Sequence, residues 1–373
     1  VSTLVISPTS IISTFCYSVL RLEPYHLCEF SCTYCYARWY RFQDPKLTNR
    51  HIREFLHYVK YVSKTRPARL IPFRLSTLVD PLQRNDKCLA NCRLFLEVCL
   101  RELIPVILNT KSDLILRDDI LEIVLKLAEH RLVVIQVSIP FLNERAWTYL
   151  EPNAPSPIRR LEVVEILSRQ HDIPVVVRVQ PVVPGITDLE LRELMRSIAE
   201  AGARHVILES LRLDSQTLRL VSSKLPEVLE VKWVPYTEVT SSLLWPERTW
   251  RRKVSEHARS LCDTYGLLFA TCKEEFLDLW TAPDCCGIYL LAERAGLRVT
   301  LRELANLPHV PNSIEDLVLL GEKLGDRYLT KGDIDALPRE VRKKLLHHYK
   351  ILLGVVKSGK CKDVLYYIKQ SNT

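Results

Sequence analysis

Three cysteines stand at Cys28-x3-Cys32-x2-Cys35, with Tyr34 directly before the third. Soft thiolate ligands suit iron and sulfide. Three of them on one short loop can hold three irons of a cubane cluster, leaving the fourth iron open to another ligand. Tetrahedral zinc would need a fourth protein ligand. His26 is the nearest, but two residues before Cys28 is a poor zinc spacing. The loop therefore predicts an iron–sulfur site at Cys28, Cys32 and Cys35.

A second group, Cys262, Cys272, Cys285 and Cys286, falls within 25 positions. It is a candidate auxiliary iron–sulfur or zinc site. Adjacent cysteines rarely both bind one metal, so Cys16 or Cys361 is an alternative ligand; a disulfide or plain burial is the competing reading. Cys88, Cys92 and Cys99 share one helical face and read as small buried hydrophobes.

The elements that must position these groups follow from periodicity. A β-rich Thr14–Leu22 runs into the cysteine loop. Helices are predicted over Arg50–Ser63, Asp86–Glu102, Arg117–His130, Ser156–Gln170 and Asp188–Ala201, the last capped by Thr187 or Asp188 and closed by Gly202. Strands are predicted over Ala68–Ser76, Pro105–Asn109, Leu132–Ile139, Ile173–Gln180 and His205–Leu211. Alternation over about 200 residues implies a parallel sheet with crossover helices. Six strands, fewer than a closed barrel's eight, suggest an open, partial (β/α)6 TIM-like barrel. Ligand-binding loops then lie at the carboxyl ends of the strands. Lys111 and Ser138 fall there, with Thr77 and Asp80 on the same rim. Arg178 projects from a buried-type strand and needs an anionic partner, such as a substrate phosphate. Beyond about Trp233 the alternation is lost. The expected division is a core over residues 1–235 and a small, mostly helical, Cys-containing and basic region over 236–373.

Composition is that of a globular protein, 47% hydrophobic and 26% charged. No apolar run approaches the roughly 18–20 residues of a membrane helix, and Val1–Ile12 lacks the marks of a signal peptide. A cytoplasmic location is expected, where 12 cysteines argue for metal or redox chemistry. One Met and ten Gly, with abundant Arg, Leu, Ile and Val, are compatible with a thermophile. From Lys331 to Thr373 ten Lys or Arg face four Asp or Glu; such a tail suits nucleic acid phosphate or a solvated helix face. There is no phosphate loop, G-x-G-x-x-G, H-E-x-x-H or G-x-S-x-G.

The cysteine loop resembles the radical S-adenosylmethionine (SAM) superfamily, whose signature is C-x3-C-x-aromatic-C. Over roughly residues 20–215 the chain is similar to the spore photoproduct lyase-related group, often labelled DNA repair photolyase-like. The matching segments are Pro24-Tyr25, Cys35-Tyr36-Ala37-Arg38, Asp80-Pro81, Thr110-Lys111-Ser112, Arg117-Asp118, Val137-Ser138-Ile139, Leu150-Glu151-Pro152 with Ala154-Pro155, and Pro181-x-x-Pro184-Gly185.

The resemblance implies a [4Fe–4S] cluster on Cys28, Cys32 and Cys35, SAM at the open iron, and a low-potential electron donor of ferredoxin or flavodoxin type. Reduction would cleave SAM to a 5′-deoxyadenosyl radical that abstracts hydrogen from a substrate. Tyr34 and Tyr36 would flank the adenine; Lys111, Ser138 and Arg178 would meet the SAM carboxylate region. Photoproduct lyases carry a hydrogen-returning cysteine where this chain has Ser76–Pro81, and no cysteine occurs between Cys35 and Cys88. That departure argues against photoproduct repair. A nucleic acid base ranks first as substrate; the rivals are a peptide or small-molecule cofactor precursor, and a non-enzymatic iron–sulfur or zinc protein.

Overall fold

A computed structural model describes residues 3–37, 45–236, 242–305, 307 and 309–359. Arg38, Cys361 and the tail beyond residue 359, all named above, lie outside them. The first half alternates helix and strand: α1 (Ser10–Phe15), β1 (Leu20–Leu22), α2 (Pro45–Thr65), β2 (Phe73–Leu75), α3 (Asp86–Arg101), β3 (Val106–Thr110), α4 (Asp118–Glu129) and β4 (Val133–Ser138). Then come α5 (Glu144–Leu150), α6 (Pro157–Glu165), β5 (Val175–Val182), α7 (Leu191–Glu200) and β6 (His205–Ser210). A small antiparallel sheet of β7 (Leu213–Asp214), β8 (Trp233–Pro235) and β9 (Leu243–Pro246) follows, with α8 (Ser215–Ser222) inserted.

The alternation does not stop there. Helix α9 (Arg248–Thr264) leads into β10 (Leu268–Thr271), which pairs parallel with β6. The sheet therefore has seven strands in the order β1-β2-β3-β4-β5-β6-β10, a partial barrel with one strand more than the six expected. The seventh escaped the sequence reading because it is only four residues long, although Thr249–Tyr265 before it reads as a helix. The region beyond it is mostly helical, with α10 (Leu301–Ala305), α11 (Ile314–Leu324), α12 (Lys331–Asp335) and α13 (Arg339–Lys357). Among the described residues no helix is long and apolar enough to cross a membrane.

Three other expectations are corrected. Thr14–Leu22 is not one strand: the Thr9 side chain caps α1, and only Leu20–Leu22 pairs. In Ala68–Ser76 only an isolated bridge of Leu70 to Ala295 precedes Phe73, where the sheet ladder begins, since Pro72 has no N–H to offer it. Helix α7 starts at Leu191 because the Thr187 hydroxyl is spent on a loop tie, donating to Pro140 O and accepting from Val183 N.

Alternation along doubly buried strands sorts side chains into two layers. Val133, Ile135 and Val137 of β4 pack in the outer core under the helices; Val134 joins the inner core with Ile107, Val176, Ile207 and Ala270. The chain over Ala282–Ala295 closes the inner core from below. Gly287, at φ +78°, is seated there: a Cβ would lie 3.0 Å from Val176 and 3.1 Å from Val134. Above this apolar floor the inward positions turn polar, with Gln136, Ser138, Arg178, Gln180 and Glu209.

Candidate active site

The inward polar positions and the β1–α2 loop surround one cavity of about 180 Å³, partly open to solvent. Cys28, Cys32 and Cys35 all line it, as do Tyr34, Tyr36, Lys111, Ser138 and Arg178. Residues predicted from distant parts of the sequence thus share one space.

The cysteine loop is shaped by hydrogen bonds to its neighbours. The Gln83 side chain accepts from Glu29 N at 2.7 Å and donates to Leu27 O at 3.0 Å. Thr33 N donates to Leu150 O at 2.8 Å, and the Thr33 hydroxyl donates to Tyr149 O at 2.9 Å. Ser31 turns the chain at φ +48°. Burial pushes the Cys28 thiol up to about 11 and raises Cys32 further, so cluster assembly must displace protons. Among the described residues no three His, Cys, Asp or Glu side chains converge on a single-ion site. Three thiols on one cavity wall are a donor set that suits a cubane, which takes one thiolate per iron.

Asp80 organises the β3 end. Its carboxylate accepts from the Thr110 hydroxyl at 2.7 Å, Lys111 N at 2.7 Å and Leu82 N at 3.0 Å. Burial nonetheless raises its pKa to about 6. The Lys111 ammonium donates to the Ser138 hydroxyl at 3.1 Å and lies 3.7 Å from Glu151 and 6.0 Å from the Tyr34 ring centroid. Glu151 is fully buried; it pairs with Arg160 and accepts from the Tyr34 hydroxyl. Burial disfavours its charge, yet Arg160 and then Lys111 outweigh burial and hold it below the ordinary carboxylate range. Tyr36 is 44% exposed, its hydroxyl donating to Thr77 O.

The second cysteine group assembles only in part: Cys262 stands apart, while Cys272, Cys285 and Cys286 lie together, and Cys16, the alternative ligand, is close enough to Cys272 and Cys286 to feel their charge. Cys262 faces the outer core, its sulfur 3.7 Å from that of Met195. Cys272, Cys285 and Cys286 lie in the inner core, on the other face of the sheet. Helix α9 covers the sheet from outside, whereas Cys272 follows the inward alternation of β10, which explains the split. Cys285 and Cys286 sulfurs are 3.6 Å apart, and Arg74 donates to Cys286 Sγ at 2.9 Å. The Cys285 hydrogen bond and the Arg74 charge lower Cys286 to about 7. Every described cysteine is free, Cys16, Cys88, Cys92 and Cys99 included; Cys92 and Cys99 are fully buried, as their helical face predicted, whereas Cys88, also expected to be buried, is only half-buried in the first turn of α3.

Sequence reasoning missed Gln136, Gln180, Glu209, Arg212, Lys273 and the Glu151–Arg160 pair. Polar residues two apart in otherwise apolar strands, as in Val175–Val182, were the available signal for the first three. Arg212 and Lys273 sit just past strand ends, where only the topology shows which way they face.

Residues 22–198, a little under half of the chain, match the model of the Radical SAM superfamily. The protein is a radical SAM enzyme, a class that uses a [4Fe–4S] cluster and SAM and needs a reductant. The fold is similar to that of spore photoproduct lyase. One variant of it aligns with TM-score 0.52 at 14% identity over 72% of this chain and 79% of that one. Another, with bound AdoMet and dinucleoside spore photoproduct, aligns with TM-score 0.51 at 13% identity over 68% and 76%. Streptococcus suis SuiB bound to S-adenosylmethionine aligns more loosely, with TM-score 0.44 at 14% identity over 67% and 50%. No curated protein matches by sequence.

Proposed function

We propose that Cys28, Cys32 and Cys35 hold the cluster and that the cavity beside them binds SAM and a substrate. The observation that carries this reading is the meeting of all three thiols with Lys111 and Ser138 around one cavity. When bound, the cluster and SAM supply a 5′-deoxyadenosyl radical that takes hydrogen from the substrate. The chain's own residues bind and orient. Lys111, already paired with Ser138, meets the SAM carboxylate. Tyr34 and Tyr36 flank the adenine. Glu151 and Arg160 fix both Tyr34 and Lys111 from below. Phe30, Leu78 and Val79 line the same cavity and limit water there.

The substrate in this proposal is a nucleic acid base, extruded if it lies in a duplex. A similar fold that binds a dinucleoside and the basic carboxyl end support it. Photoproduct repair is not proposed: apart from Cys28, Cys32 and Cys35, no described cysteine lines the cavity. Electrons come from a ferredoxin- or flavodoxin-type donor, in the reducing cytoplasm that free thiols suit. Anaerobic reconstitution followed by dithionite and SAM tests the core of the reading. Formation of 5′-deoxyadenosine is expected, and its absence overturns the proposal. Mobility shift across a salt series, with and without residues 331–373, tests the substrate class; binding insensitive to both would remove nucleic acid.

A further inference from the structure

We propose that the β5–β6–β10 side of the cavity is a subsite for a phosphate oxyanion of the substrate, formed by Arg178, Arg212 and Lys273 around Glu209. The inference rests on the reading of this cavity as the active site. All four side chains line it.

Charge accounting carries the argument. Glu209 is only 10% exposed in its side chain. It pairs with Arg212, lies 3.5 Å from Lys273 Nζ, and accepts from Gln180 Nε2 at 2.9 Å. One carboxylate thus serves two cations. Arg178, on the neighbouring strand, donates only to the neutral Gln136 amide at 2.8 Å and has no ion pair among the described residues. Other carboxylates near these strands are committed elsewhere. Glu274 holds Arg251 and accepts from Ser210 N; Asp80 and Glu151 hold the Lys111 side; Glu23 accepts from Ser76 and Thr77 and pairs with Arg21. Three cations therefore face one anion in a partly desolvated wall, an imbalance that an incoming dianion would complete.

The groups are also preset. Arg212 donates to the Tyr236 hydroxyl at 2.6 Å and stacks 4.8 Å from its ring centroid. Lys273 sits at φ +57°, two residues past the end of β10. Such conformations persist in non-glycine residues where the surroundings demand a particular side-chain direction. Guanidinium forks match phosphate oxygens in two-point contact. An excess of two positive charges suits a phosphate, at about −1.5 to −2 for a monoester, better than a single carboxylate.

Calorimetric titration of the reconstituted, SAM-loaded enzyme tests this, using inorganic phosphate for a terminal monoester, dimethyl phosphate for an internal diester, and acetate as a carboxylate control. Either phosphate probe should bind more tightly than acetate, and the tighter of the two tells which source the substrate supplies. Lys273→Gln should weaken that probe about tenfold and lessen its salt dependence, and Lys273→Arg should restore it. Arg212→Gln should act likewise where its melting transition is kept. Acetate binding as tightly as phosphate, no phosphate binding, or affinity unmoved by Lys273→Gln would overturn the subsite. Wild-type 5′-deoxyadenosine formation, measured alongside, separates the two claims: its loss removes the radical reading and leaves the anion result standing.

Discussion

The Lys111 ammonium reaches the Ser138 hydroxyl over 3.1 Å and so ties the carboxyl end of β3 to that of β4. Neighbouring parallel strands bring the two residues together although 27 positions separate them. The ammonium's other close contact, Glu151 at 3.7 Å, is already neutralised by Arg160, so Lys111 keeps positive charge for a ligand. Lys111→Met should weaken SAM binding by about 1.5–3 kcal/mol, the worth of a hydrogen bond to a charged group. Equilibrium dialysis of SAM against the reconstituted protein measures it, and unchanged affinity would remove Lys111 from the SAM site.

Cys32 is the most buried of the three loop thiols, at 9% exposure. Cys32→Ala should abolish the brown cluster absorbance. In the parent protein, iron analysis should give about four irons per chain, one cubane. A count near eight would demand a second cluster, against the separation of Cys262 from Cys272, Cys285 and Cys286.

Glu151→Gln should destabilise the fold as well as the site. It leaves the fully buried Arg160 without its anion, a loss on the order of 3–5 kcal/mol. Arg160 also donates to Ser138 O at 2.9 Å and Pro155 O at 2.8 Å, which hold it in place uncompensated. Urea unfolding measures the change; a shift under about 1 kcal/mol would show that the pair is not a buried ion pair in solution.

The cysteine spacing and the strand–helix alternation were enough to read the partial barrel, its rim and several of the residues that meet around the cavity. Lys111 and Ser138 were legible because each closes a strand whose ends were clear. Lys273 and Arg212 were not, because β10 is too short to announce itself and its neighbour in space, β6, lies some 60 residues earlier. The second cysteine group misled for the reverse reason: closeness in sequence hid that a sheet divides Cys262 from the rest. Periodicity reports which face a residue occupies, not which distant element meets it there.

His348 offers a pH signature apart from the site. Its ring nitrogens are engaged by the Ser13 hydroxyl at 2.9 Å and Ile6 O at 3.0 Å, joining α13 to the amino-terminal segment. Burial, then the nearby Arg298, depress its pKa from 6.5 to about 3. The unfolded chain therefore takes up this proton before the folded one does. The contribution is fully present above about pH 6.5 and is lost as pH falls toward 3, on the order of a few kcal/mol. His348→Gln should flatten the acid limb of urea midpoint against pH; an unaltered limb would contradict the assignment.

The late arrival of β10 and of the chain that closes the barrel floor has a consequence for how the molecule can be divided. A fragment ending near residue 235 would lack both. It would leave β6 as a bare edge with unpaired N–H and C=O groups and open Val134, Val176 and Ile207 to water. Ribosomal synthesis must pass residue 295 before the first strands' inner faces are covered, so a truncated product should aggregate rather than yield a working catalytic half.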